Sequence, residues 1–231
     1  MKRFKALYVF AALAVLAGAL SCGGGTGLRS SVQKGFGPFS AKIPYLNNVN
    51  YFGFVGPEIR PEGKHNGKDA FYLYFWVPAV IDEVGVSMVS PAQGISPDSD
   101  DFKHPRFDEM NQADPASYFD TWIRLERMDI ISAGSIKKGG RAISTLAEND
   151  DTGELKAQPS GSHYNSLVRV RTEAANPLKA LVRGVYRITF TSFRGEIRGS
   201  YVATVGTNIP GVKIAASLPE LHNLVNEPAG K

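Results

Sequence analysis

The chain has 231 residues, with 26 Lys and Arg against 22 Asp and Glu, a formal net charge of +4 and a single cysteine. Three of the cations, Lys2, Arg3 and Lys5, stand in a leader without acidic residues, so from Cys22 onward 23 basic side chains face 22 acidic ones, and the electrostatic footing for nucleic-acid binding is gone. One cysteine excludes an internal disulfide framework and a zinc-thiolate cluster, which leaves the fold to its core or to a bound ion, and the length suits one sizeable domain.

In chain order, residues 1–21 read as a secretory signal peptide: a basic start, an apolar stretch from Ala6 to Leu20 that is too short to span a bilayer, and small residues before the break. Cys22 follows at once. It is expected to be the lipid acceptor, a diacylglyceryl cysteine further acylated with palmitate, with Gly23, Gly24 and Gly25 opening a flexible tether over residues 22–42. An ordinary cleaved signal with a chance cysteine is the alternative. Ala19, Leu20 and Ser21 depart from the commonest lipoprotein box, which has Leu three residues before the cysteine; the relaxed box is similar to those of spirochaetal lipoproteins.

Residues 43–212 carry strand signals divided by turn chemistry. Val49 to Val55, Ala70 to Val77, Gly85 to Ser90, Tyr118 to Glu126, Tyr164 to Arg171, Lys179 to Phe193 and Ile197 to Thr207 are rich in β-branched and aromatic residues. These runs predict an all-β domain, a jelly-roll-like β-sandwich with short peripheral helices. In Ala70 to Val77 both alternating faces are apolar, Phe71, Leu73, Phe75 and Val77 against Tyr72, Tyr74 and Trp76, as expected of a strand covered on both sides. The stretches from Pro61, Ser96 and Glu148 read as loops. Over residues 213–231 the pattern changes: Leu218, Leu221, Leu224 and Val225 share one face of a short helix begun near Ser217 and Pro219. Docking of that helix on the sandwich is expected, with a partner-binding or frayed tail as the alternative.

Catalysis finds little support in the residues. His65, His104, His163 and His222 are scattered without paired metal-ligand spacing, no Gly-x-Ser-x-Gly elbow occurs, and nothing singles out a carboxylate pair such as Asp82 and Glu126. The chain is therefore expected not to be an enzyme, and no catalytic residue is assigned. A cluster at Asp98, Asp100 and Asp101 begins like a calcium loop but has Phe102 and Lys103 where an oxygen and a glycine are required, and is read as a surface loop.

Three segments carry a resemblance. Phe71 to Pro91 (FYLYFWVPAVIDEVGVSMVSP), Phe119 to Met128 (FDTWIRLERM), and the stretch from Tyr164 to Gly206 with YNSLVRV, LVRGVYRITF and GSYVATVG are similar to the major leptospiral outer-membrane surface lipoprotein family. With the leader, the similarity runs from about Val49 to Val212. It implies a calcium-binding jelly roll on an acylated anchor at the outer membrane and cell surface. The membrane, through the lipid anchor, is one implied partner; extracellular-matrix proteins such as fibronectin, laminin and collagen are others, and a homodimer is left open. An abundant envelope protein without a specific ligand is the competing reading.

Carried over residue by residue, the family's calcium ligands fall on Asp120, Thr121, Asp150, Asp151 and Tyr164. Calcium takes six to eight oxygens from carboxylates, carbonyls and water, at about 2.3 to 2.6 Å. Successive side chains on a strand point to opposite faces, so Asp120 and Thr121 cannot both direct side chains at one ion, and Thr121 is assigned its carbonyl. Tyr164 is assigned likewise. The acidic loop is shorter than in the family, keeping Glu148-Asn149-Asp150-Asp151, which predicts weaker binding and leaves Asn149 as a substitute ligand. A solvated turn, with Asp120 paired to Arg124 or to a backbone donor, is the reading without an ion.

Overall fold

The structure is a computed structural model that describes residues 26–36, 39–42, 44–173, 175–177 and 179–227. The signal peptide and Cys22 lie outside the described residues.

Among the described residues there are thirteen strands: β1 (Gln33–Phe36), β2 (Phe39–Lys42), β3 (Asn47–Val55), β4 (Gly63–His65), β5 (Lys68–Val77), β6 (Glu83–Val89), β7 (Phe102–Lys103), β8 (Thr121–Met128), β9 (Ala142–Asn149), β10 (Ser166–Arg171), β11 (Gly184–Ser192), β12 (Gly199–Thr207) and β13 (Lys213–Ala215). β1 and β2 form a hairpin of their own. One sheet has the order β10-β6-β12-β3-β7, the other β13-β5-β11-β8-β9, with β4 beside β5.

The pairings nest. β3 pairs with β12, β5 with β11, β6 with β10, and β8 with its neighbour β9. The chain is thus a long hairpin closed at β8–β9 whose successive pairs fall alternately in the two sheets, and this rolled ribbon is the jelly roll that the sequence predicted. Pairing first with last brings the strand ends near residues 120, 150, 165 and 193 to one place, although they are far apart in the chain.

Between the sheets lies the main core. Val49, Tyr51, Leu73, Phe75, Val86, Met88, Ile123, Leu125, Ile188, Phe190, Ala203 and Val205 pack there, all but Val49 at or below 1 % exposure. Each fully buried large aliphatic or aromatic side chain contributes about 1.5–3 kcal/mol. The outer face of the six-stranded sheet is covered as the two-faced pattern of β5 requires: Tyr74, Trp76, Met128 and Val185 pack with Leu221 from the helix Leu218–Asn226 and Ile136 from the 3-10 turn Ala133–Lys138. That helix starts as expected. Ser217 is its N-cap, accepting a hydrogen bond from the Glu220 amide at 3.3 Å, with Pro219 in the first turn.

Two expectations are corrected, and one strand appears that was not read. The strand read from Lys179 begins only at Gly184, whose φ of +152° and close approach to Ile130, where a Cβ would meet the carbonyl oxygen at 2.7 Å, require glycine. The edge strand β9 had no sequence signal, because its residues are only half-buried or exposed and Ile143 is 41 % exposed. The tether read over residues 22–42 is interrupted. Thr26, Leu28 and Ser30 are buried on the outer face of the five-stranded sheet, and Gln33–Phe36 pairs with Phe39–Lys42, because polar residues there find partners that composition does not reveal.

Candidate metal centre

Asp120 immediately precedes β8, Asp150 and Asp151 follow β9, and Tyr164 precedes β10. Backbone geometry knits them together. The Thr121 amide donates to the Tyr164 carbonyl at 3.0 Å, and the Phe193 amide donates to the Asp120 carbonyl at 2.8 Å. The Ser166 hydroxyl reaches both the Thr121 carbonyl and, at 3.1 Å, the Asp150 carbonyl. Behind this end a buried amide network sets the loop ends: the Gln158 side-chain amide donates to the carbonyls of Ser90 at 3.0 Å and Phe119 at 2.7 Å, and the Ser90 amide donates to Asn165 Oδ1 at 3.0 Å.

The carboxylate of Asp120 is the anomaly of this end. The residue is 7 % exposed, and among the described residues neither side-chain oxygen has a hydrogen-bond partner. Buried charges are ordinarily paired or coordinated, because an uncompensated one is costly. Asp120 is ion-paired, without a hydrogen bond, to Arg194, whose Nε lies 3.6 Å from Oδ2 and whose guanidinium lies 4.4 Å from the centre of the Tyr164 ring. Burial, reinforced by the charges of Asp151 and Asp150, pushes the Asp120 carboxyl up to about 6 against the opposing pull of Arg194 and Lys68. Asp151 is raised as well, by burial and by Asp150. A buried carboxylate pushed up by two neighbouring carboxylates is one that a divalent cation would relieve.

The five residues read from the sequence therefore meet at one end of the sandwich. Asp120 is buried, Asp150 and Tyr164 are half-buried, and Asp151 is exposed. Thr121 behaves as strand alternation requires: its hydroxyl points away from Asp120 to the Ser166 hydroxyl at 2.7 Å. Asn149 Oδ1 accepts from the Leu167 amide at 3.4 Å, one of the two bonds its oxygen can take. The pairing of Asp120 with Arg124 does not form; Arg124 is bound to Glu148 at 2.8 Å. Among the described residues no three acidic or histidine side chains make a finished metal cage. The donors that fit calcium are thus mixed, the Asp120 carboxylate and the acidic loop with the Thr121 and Tyr164 carbonyls. The Thr121 carbonyl accepts from the Ser166 hydroxyl, whereas the Tyr164 carbonyl accepts from both the Thr121 amide and, at 3.3 Å, the Thr121 hydroxyl, which an ion would displace.

Sequence reasoning missed the supporting residues. Ser166 and Asn165 sat inside the Tyr164-Asn-Ser-Leu motif and were open to notice. Arg194 gave no signal, because its approach to Asp120 depends on the pairing of β11 with β8. A family model described as a surface lipoprotein of the order Spirochaetales, Lipl32, matches residues 39–214, a span that includes every residue of this centre. No curated protein matches significantly.

Proposed function

This chain belongs to the surface lipoprotein family of the order Spirochaetales, whose place is the surface of the cell envelope, and from that premise we propose a calcium-binding, lipid-anchored sandwich that binds macromolecules outside the cell. The anchor is Cys22, acylated at the outer membrane; two or more acyl chains give stable attachment where one is marginal. The observation that carries the calcium reading is the buried Asp120 carboxylate without a hydrogen bond. Asp120, with Asp150 and Asp151, would hold the ion, and the carbonyls of Thr121 and Tyr164 would complete it. Bound calcium would add positive charge beside Asp120, where three carboxylates stand against Arg194 and Lys68. Arg194, with a side chain 55 % exposed, is free to yield its place beside Asp120. With one buried and two more accessible carboxylates, affinity is expected in the range of extracellular modules, about 10⁻⁴ to 10⁻³ M.

The test is a thermal melt of protein beginning after Cys22, in EDTA and across a calcium titration, beside Asp120→Asn. A ligand that binds only the folded state raises stability by about 2.7 kcal/mol at a hundredfold excess over Kd. A calcium-specific rise is expected in the parent and none in the variant. Because Asp120 titrates higher in the folded chain than in the unfolded one, the ion-free parent loses stability as pH rises from about 4 to about 6, and Asp120→Asn melts above it in EDTA at pH 7. Unchanged melting at millimolar calcium would sink the ion. Saturable binding to fibronectin, laminin or collagen, absent from an unrelated lipoprotein, tests the adhesin role; lack of it leaves an envelope protein without a specific ligand. Labelling by radioactive palmitate, lost in Cys22→Ser, tests the anchor.

A further inference from the structure

Residues 26–31 form a strap across the outer face of the five-stranded sheet. Thr26, Leu28 and Ser30 are 6 %, 6 % and 7 % exposed, while Gly27 and Arg29 between them are exposed. The Thr26 hydroxyl donates to Thr204 of β12 at 2.8 Å and meets Ser87 of β6 at 3.1 Å, which puts it over the middle of the sheet. Leu28 joins Val89, Leu155 and Leu167 in a small apolar cluster. At the far edge the Arg29 carbonyl accepts from Arg169 of β10 at 2.7 Å, and the Ser31 amide donates to the buried Glu83 at 2.9 Å.

Three residues separate Cys22 from Thr26, so a lipid on Cys22 is held within about 14 Å of a fixed point on this face. The opposite face is much farther away. Stacked sheets are about 10 Å apart, and the helix Leu218–Asn226 adds another layer of about 8–10 Å. We propose that the strap fixes the orientation of the sandwich on the bilayer: the outer face of the five-stranded sheet lies against the lipid headgroups, and the face covered by the C-terminal helix points away. Arg29, turned outward from the strap, is placed to meet lipid phosphates. The inference rests on acylation of Cys22, the anchor of the proposed function, and adds to it a direction.

The experiment uses the full-length acylated protein in phosphatidylcholine–phosphatidylglycerol vesicles that contain a nitroxide-labelled lipid. Cys22 is the chain's only cysteine, so with its sulfur acylated an introduced cysteine is the only thiol to carry a fluorophore. Exposed positions on the strap side are Arg29→Cys and Gln93→Cys; those on the helix side are Lys137→Cys and Asn223→Cys. Quenching severalfold stronger at the first pair is expected. Glu83→Ala, which frees the strap, should keep the protein on the vesicles while levelling the four signals. Equal quenching in the vesicle-bound parent, or stronger quenching at Asn223→Cys, would overturn the orientation alone. Protein left in the supernatant would overturn the anchor and the orientation with it.

Discussion

On the six-stranded sheet the outer face is closed by a helix whose Leu221 is fully buried among Tyr74, Trp76 and Val185, whereas on the five-stranded sheet an extended strap, rich in hydrogen bonds, closes part of it. The two covers rest on different terms. The first depends on apolar area removed from water, which is non-directional and tolerates small shifts. The second depends on a few polar contacts, each worth little net but expensive to leave half made, so it is specific in position and sensitive to single atoms. A cover of the second kind suits a segment whose task is to hold the chain at a defined place.

The largest effect is expected from the apolar cover. Leu221→Ala deletes a side chain at 0 % exposure and should cost about 3 kcal/mol, which for a domain of this size lowers Tm by about 9 °C. Guanidinium denaturation checks it. The strap should stay in place in this variant, with amide exchange of Leu28 and Ser31 unchanged below the global transition; loss of protection there would mean that the covers are coupled through the core.

The polar cover breaks at Glu83, which is 1 % exposed and accepts from the Ser31 amide, the Ser31 and Tyr45 hydroxyls and Arg171. Glu83→Ala should cost about 2 kcal/mol and free the strap while the helix Leu218–Asn226 keeps its protection. Acid should do the same. Burial pushes the Glu83 carboxyl up, but the hydrogen bonds from Ser31 and Tyr45 outweigh it and hold the group below its ordinary value. A carboxylate held low stabilises the fold above the ordinary glutamate pKa of about 4.3, and that contribution is lost as pH falls through the lower folded value. Hydrogen exchange between about pH 5 and pH 3 should therefore show the strap opening before the helix; simultaneous opening would refute a separate polar cover.

The same contrast decides what was legible in the sequence. Leu218, Leu221, Leu224 and Val225 announce a buried face by spacing alone, and the alternation of β5 announces that something must cover Tyr74 and Trp76; the helix and its seat were read from the two ends. Thr26 to Ser31 has no periodicity, and its partners Ser87, Thr204 and Glu83 lie far along the chain, so composition there resembles any tether. The acidic end follows the same division. Asp120 and the aspartate pair were legible through the resemblance, because carboxylates in a loop are a chemical signal. The buried carboxylate's lack of a hydrogen bond, and the approach of Arg194, arise from strand pairing that no local pattern encodes.

The smallest and most specific prediction concerns a chain of hydroxyls. Thr204 donates to Asn50 Oδ1 at 2.7 Å and Thr26 donates to Thr204 at 2.8 Å, so the single hydrogen on each is committed, and Ser87, 3.1 Å from Thr26, must donate in turn. The relay runs one way, from β6 through the strap to β12 and β3. Thr26→Val keeps the volume and the buried methyl but removes the oxygen, leaving Ser87 without an acceptor and Thr204 without a donor beneath the strap. The expected cost is about 1 kcal/mol, close to the value of one net hydrogen bond and below that of Glu83→Ala. The double variant Thr26→Val/Ser87→Ala removes both ends of one contact and should recover part of that loss, since a hydroxyl with no partner is worse than none. If the double variant instead loses the sum of the two single costs, the hydroxyl relay contributes nothing as a unit, and the strap's place on the sheet rests on Leu28 and Glu83 alone.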